Sequence, residues 1–393
     1  MSTVTTNTSW FSRIGSSVKG VILGVLFIIG AIIFIFWNEG RAVQTYESLI
    51  EGSSVVNSVS AENINSANEG KLVHFSGNTT TSGVISDAEF LISSESLRLR
   101  RIVEVYQWSE KSSSKTTEKL GGGTETTTTY SYEKKWSDQV ISSANFKEAE
   151  THQNPNEKLF ENKDIVAQSV TVGAFSIPED MIKNLSGWTQ LPLTQEMFNA
   201  LSYEEQEKIN VVSNTIYYSV VDPTKPEIGD TRIRYEVIPV QEVSVMGAQS
   251  GNTVIPFKTK NNQTISMINV GNISAESMFE GAIEGNKILT FIFRIIGFLV
   301  IFIGFNMILQ PLRVFVSVIP LFGRIVGFGN SIIATIFTLT TGTVVIAIAW
   351  IVARPLLSFV LIGLVVAGFI GIAMVGKKNP VVEKVTKEAK QSQ

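Results

Sequence analysis

GVILGVLFIIGAIIFIFW, residues 20–37, carries no charged side chain and approaches the roughly 20 apolar residues a helix needs to cross the hydrocarbon core of a bilayer. A cleaved signal peptide would have a shorter apolar stretch and a small-x-small cleavage site. Here the run leads straight into Asn38-Glu39-Gly40-Arg41, so an uncleaved anchor is expected over residues 18–37. Three more apolar runs fill the C-terminal third, at 288–309, 328–353 and 354–376. The expected fold class is therefore a membrane protein of α+β type. It has four transmembrane helices, one N-terminal and three C-terminal, and a large β-rich extracytoplasmic or luminal domain over residues 38–287.

Short flanking segments set the orientation, because basic residues near span ends stay in the cytoplasm. Arg13 and Lys19 precede or open the first run, and the loop 310–327 holds Arg313 and Arg324. The tail 377–393 holds Lys377, Lys378, Lys384, Lys387 and Lys390 against Glu383 and Glu388. Both tails, including residues 1–17, and that loop are thus expected in the cytoplasm, with Arg354 as the exception. The loop itself places Val314, Phe315, Val318, Ile319 and Phe322 at near-helical spacing, which suits a segment lying in the interface. A re-entrant hairpin is the alternative, since Pro311, Pro320 and Gly323 interrupt a continuous helix. Arg294, close to a span end, is expected to snorkel to the interface. Small residues at intervals of four on the last span (Gly363, Ala367, Gly371) and on the first (Gly20, Gly24) offer close helix packing, within one subunit in preference to self-association.

The large domain reads as mostly strand. Residues 97–108 and 125–136 form a long hairpin around a polar, mobile tip at 112–124, with Tyr130, Tyr132 and Trp136 on one face. Over 231–238, Ile233, Tyr235 and Val237 alternate with Arg232, Arg234 and Glu236, so one face is wet. Further strands are expected at 72–76, 166–172, 240–246, 254–258 and 265–270. Helix starts are expected near Pro178, at Ser202 with Glu205, and at Ser274.

Composition narrows function. A net charge of −3 with no basic stripe argues against nucleic acid as a partner. With no cysteine there is no disulfide, thiolate nucleophile or cysteine-ligated metal. The only histidines, His74 and His152, have no companion at metal-ligand spacing, and no nucleophile elbow, zinc helix or phosphate loop occurs. No catalytic, cofactor-binding or metal residue is expected. An enzyme using carboxylates stays a distant reading, because such pairs leave weak linear signatures. Val326-Gly327-Phe328-Gly329 resembles part of a potassium filter, and a channel or transport subunit is the first alternative. However, Ile325 stands where the filter needs threonine, and glycines that ease entry into a helix explain the segment better.

Across nearly its whole length the chain is similar to the transmembrane protein 43 family, also called LUMA. The resemblance rests on Asn38-Glu39-Gly40-Arg41, on Asn68-Glu69-Gly70 leading to His74, and on Tyr106-Gln107-Trp108. It continues through Trp136, His152 with Asn154-Pro155, Pro226-Glu227-Ile228-Gly229-Asp230, and Arg354-Pro355. It implies a four-span protein whose large domain faces the lumen. In animal relatives it implies residence in the endoplasmic reticulum and inner nuclear membrane, as a self-associating, non-enzymatic organiser of membrane protein complexes that binds lamins and emerin. Bacterial relatives have no lamina, and the cysteine-free, Asn- and Ser-rich composition leans toward such a source, where the membrane would be the inner one. The expected partners are the lipid bilayer, further copies of the chain and other membrane proteins, with no cofactor.

Overall fold

The computed structural model describes residues 1–351 and 355–377. The chain divides into two units. One comprises residues 1–5, 47–115 and 127–283, and the other residues 6–46, 116–126 and those from 284 onward.

The first unit is β-rich. Its main strands are β1 (Ser2–Thr8), β2 (Leu72–Thr80), β3 (Ser96–Glu118), β4 (Thr124–Ser137), β5 (Ile209–Val212), β6 (Thr215–Tyr218), β7 (Thr231–Pro239), β8 (Glu242–Ser250) and β9 (Met267–Val270). One sheet runs β1-β4-β3-β7-β6-β5, and the other is built on the antiparallel pairs β2–β8 and β8–β9. Side chains from both sheets share one core, including Val73, Phe75, Leu97, Leu99, Val103, Ile233, Val237, Val243 and Val245. Burial alternates along β7 as its sequence requires, with Thr231, Ile233, Tyr235 and Val237 buried and Arg232, Arg234 and Glu236 half-exposed. His74, inside β2, is buried and its Nε2 lies 2.9 Å from the Ile273 carbonyl, a structural role for that ring.

The hairpin is longer than its composition suggests. Its strands continue to Glu118 and resume at Thr124, so the turn is only 119–123 instead of 112–124. Threonine and serine hydroxyls hold the extension across the strands, Ser114 to Thr128 and Thr116 to Thr126, each at 2.9 Å. Lys111–Glu133 and Lys119–Glu125 ion pairs flank them.

The second unit is helical. Among the described residues, three helices are long and apolar enough to cross a membrane: α1 (Trp10–Val55), α2 (Ala275–Val316) and α3 (Pro320–Trp350). The fourth expected span falls on α4 (Pro355–Lys377), whose apolar stretch within the described residues, Pro355–Gly368, is shorter. The segment 310–327, expected as an interfacial loop or re-entrant hairpin, is instead shared between two helices. α2 continues through Pro311 to Val316, and α3 starts at Pro320, leaving only 317–319 between them. Pro320 sits in the first turn of α3, where its missing N–H costs nothing.

α1 and α2 approach closely at Gly24 and Gly304. A Cβ on Gly24 would lie 2.6 Å from the Gly304 carbonyl oxygen and 3.1 Å from Met307 Cβ. Gly24→Leu is therefore expected to destabilise the bundle by about 1–3 kcal/mol, as overpacking does, read as a lower melting temperature in detergent with the β-sheet circular dichroism retained. Gly20 is looser, with Met307 Cε 4.0 Å from where its Cβ would be. Gly363 and Ala367 are exposed, and nothing among the described residues lies within 4 Å of a Cβ built on Gly363 or Gly371. The expected seam on the last helix is thus unused by the chain's own described helices.

The hairpin turn belongs to this helical unit and docks on helix ends. Gly121 N–H donates to the Val318 carbonyl at 3.0 Å. Gly122, at φ +77°, lies against the Trp10 indole, whose Nε1–H donates to the Val314 carbonyl at 2.9 Å. One carboxylate oxygen of Glu118 takes both Arg13, at 3.1 Å, and Arg313, at 3.3 Å.

Candidate functional site

Residues that carry the family resemblance, scattered from 106 to 230, converge in the β unit at the root of the hairpin. Asn154 acts there as a substitute strand. Its Oδ1 accepts from Trp108 N–H at 2.7 Å, and its Nδ2 donates to the carbonyls of Trp108 and Ile141, both at 2.9 Å. Gln107 does the same from the buried face, donating to the Gln139 carbonyl at 2.7 Å and accepting from Ile141 N–H at 2.9 Å. The 226–230 turn closes the other side. Asp230 Oδ2 accepts from Glu227 N–H at 2.7 Å, Tyr106 N–H donates to the Asp230 carbonyl at 2.8 Å, and Gly229 N–H donates back to Tyr106 at 2.9 Å. Gly229 stands at φ +99°, a conformation that glycine alone adopts cheaply. Asn154→Ala strips three hydrogen bonds from this frame and is expected to cost about 1–3 kcal/mol, seen as faster amide exchange at Trp108 and Ile141.

Rings cover the frame. His152 stacks on Tyr132 with centroids 3.7 Å apart and receives the Trp108 edge at 4.6 Å, while Tyr132 O–H donates to Glu110 at 2.7 Å. Trp136 packs on Tyr106 at 5.2 Å and carries Arg232 over its face at 4.6 Å, and Lys134 lies 5.0 Å over Trp108. Half-buried aromatic rings bearing cations are a composition that protein interfaces favour.

Next to this root, the outward faces of β3 and β7 form a ladder of alternating charge. Arg100 pairs with Glu236, Arg232 with Glu104 at 2.8 Å, and Arg234 with Glu104 at 3.2 Å. Arg98 and Arg100 both lie over the Trp188 ring, at 4.7 and 4.2 Å. An open polar cavity of about 670 Å³ follows this ladder, with Glu104, Asp164 and Glu236 in its wall each engaged by an arginine.

Beneath the cavity lies a network that sequence reasoning missed. Asp87 is fully buried and takes Arg101 at 2.8 Å, Lys163 at 3.1 Å and the Tyr235 hydroxyl at 2.7 Å. Burial pushes the Asp87 pKa up, but hydrogen bonds from Tyr235 and Lys163 and the charge of Arg101 outweigh it and hold the carboxyl below its ordinary value. Burial and the neighbouring carboxylate both push the Tyr235 hydroxyl well above its ordinary value. A signal for the network was present. Arg101 shares parity with Leu97, Leu99 and Val103, and a cation on an inward-facing position demands a buried anion.

A second polar network joins the apolar helices. Glu39 is 1% exposed and accepts from Arg294 Nε and Nη2, at 2.6 and 2.7 Å, and from Trp350 Nε1–H at 2.7 Å. Arg41 donates to Asn286 at 3.0 Å, Thr290 at 3.0 Å and Asn38 at 3.2 Å, and Asn38 donates to the Thr290 carbonyl at 3.1 Å. Arg294 is the bidentate partner of a motif residue, because an unpaired guanidinium beside apolar helices would be costly. Gly40 gives the same helix turn a face with no neighbour within 4 Å of a Cβ.

The other motif positions are local. Asn68, Glu69 and Gly70 shape the turn before β2, where Gly70 sits at φ +72° and Glu69 accepts from Gly251 N–H at 2.9 Å. Pro155 lies beside Gly229, Pro226 opens the turn that Asp230 closes, and Pro355 starts α4. Arg354 and the tail 378–393 lie outside the described residues.

No solved structure matches the chain. Among curated proteins it is similar to transmembrane protein 43 of Homo sapiens, 29% identical over 369 residues and covering 90% of both chains. It is likewise similar to that of Pongo abelii, 30% identical over 370 residues with 90% of both covered. The Drosophila melanogaster homologue is 28% identical over 348 residues, covering 86% of this chain and 89% of its own. The profile of the transmembrane protein 43 family matches residues 105–355, from the hairpin root to the start of α4, and the chain, an integral membrane protein, belongs to that family.

Proposed function

We propose that this protein is a non-enzymatic membrane scaffold that self-associates and organises other membrane proteins through its β unit. One observation carries the reading: the family-motif residues at the hairpin root spend their polar groups on their own backbone, holding a cation-bearing aromatic surface rigid. Rigid aromatic and arginine-rich surfaces supply binding anchors at low entropic cost. In this reading the β unit, with β1 of the N-terminal segment paired into its sheet, faces the periplasm or lumen. The membrane is the inner membrane of a bacterial host, or the endoplasmic reticulum and inner nuclear membrane of a eukaryotic one.

Crosslinking in native membranes followed by native mass spectrometry in mild detergent tests it. Oligomers or stable co-purifying membrane proteins are expected, and Trp136→Ala with Arg232→Ala should reduce them while leaving the fold intact. A monomer without partners in both measurements would overturn the scaffold reading.

A further inference from the structure

Where α1 begins and α2 ends, the two helices leave a cavity of about 530 Å³ between them. Its wall is graded. Arg13, Ser16 and Gln310 lie toward the helix ends, and Gly20, Met307, Ile303 and Phe302 lie deeper along the apolar runs, with Asn306 as the polar side chain among them. Among the described residues, no acidic side chain lines it. Just outside, the single Glu118 carboxylate serves both Arg13 and Arg313, so the cluster keeps an excess of one positive charge.

A polar, cationic mouth above an apolar floor, at the end of helices that sit in a bilayer, has the polarity profile of one lipid molecule. Ordinary apolar contact with lipid tails needs no such grading, and a soluble anion needs no apolar floor. The geometry points to a binding site for a single anionic glycerophospholipid. Its phosphate would meet Arg13 and the Ser16 and Gln310 side chains, and an acyl chain would lie over Gly20 against Met307 and Phe302. The missing side chain at Gly20 makes the floor, since a Cβ there would stop 4.0 Å from Met307 Cε.

The test uses the full chain in nanodiscs of equal parts phosphatidylglycerol and phosphatidylcholine, with the lipid retained after release counted by native mass spectrometry. The wild type should retain phosphatidylglycerol over phosphatidylcholine by about fivefold, the factor expected from one basic residue. Arg13→Gln should bring that ratio close to one. Gly20→Leu, which fills the floor and leaves the Arg13–Glu118 pair in place, should abolish retention of both lipids and keeps the test decisive if Arg13→Gln misfolds. Equal retention of both lipids by the wild type, or undiminished retention by Gly20→Leu, would overturn the proposal. So would displacement of the bound lipid by inorganic phosphate, which would make this a site for free anions.

Discussion

Glu39→Ala is expected to lower the stability of the helical unit by about 3–5 kcal/mol, the usual consequence of removing one partner from a buried ion pair. The magnitude follows from what is left behind. Glu39 is 1% exposed and satisfies both forks of Arg294 and the Trp350 indole, so its loss strands a guanidinium among apolar helices. Arg294→Met should be as damaging, because it strands the carboxylate. The double variant Glu39→Leu with Arg294→Met removes both charges and should recover most of the loss, since hydrophobic replacement of a complete buried pair is often neutral. Unfolding by denaturing detergent, followed by tryptophan fluorescence, measures all three. A double variant as unstable as either single would show that shape, and not stranded charge, sets the cost.

Asp87→Ala should produce an effect of similar size, about 3–5 kcal/mol, in the β unit. It leaves the Tyr235 hydroxyl without its acceptor and the buried Arg101, with 4% of its side chain exposed, dependent on the exposed Glu89 alone for a counter-charge. Tyr235→Phe removes only one hydrogen bond and should cost about 1–3 kcal/mol. The network also gives the stability curve a definite shape. Because the folded state holds the Asp87 pKa below its ordinary value, its contribution is complete above the unfolded carboxyl pKa of about 4 and is lost as pH falls through the folded one. Tyr235 works in the opposite sense. Its folded pKa is raised, so its contribution is present below about pH 10 and fades as pH rises through the folded value. Thermal melts from pH 3 to 7 should therefore slope less for Asp87→Ala than for the wild type.

Much of this was legible in the residues. Period-two alternation fixed which face of β7 is buried, and uncharged runs marked the helices, because both signals report burial directly. What escaped depended on partners remote in sequence. Arg294 looked tolerable at a helix end until Glu39, 255 residues away, was found beside it. Likewise, nothing near 112–118 announces a strand until the hydroxyls of Thr126 and Thr128 stand opposite. The 310–327 segment departs from its expected loop for another reason. Prolines there suggest breaks, but a proline in a first turn starts a helix, and one inside α2 forfeits a single hydrogen bond that tertiary packing can offset.

The way the hairpin turn is fastened bears on how the protein is made. Arg13 reaches Ser317 across 304 positions, and Glu118 reaches Arg313 across 195, so the fastening cannot close while the ribosome is still translating the β unit. The turn, with its glycines and lysine, must wait unsupported until α2 has been inserted, which makes this late, non-local closure a candidate for the slowest step of maturation. Nascent chains truncated before residue 313 should accordingly be cut by protease at 119–123, and full-length chains should not.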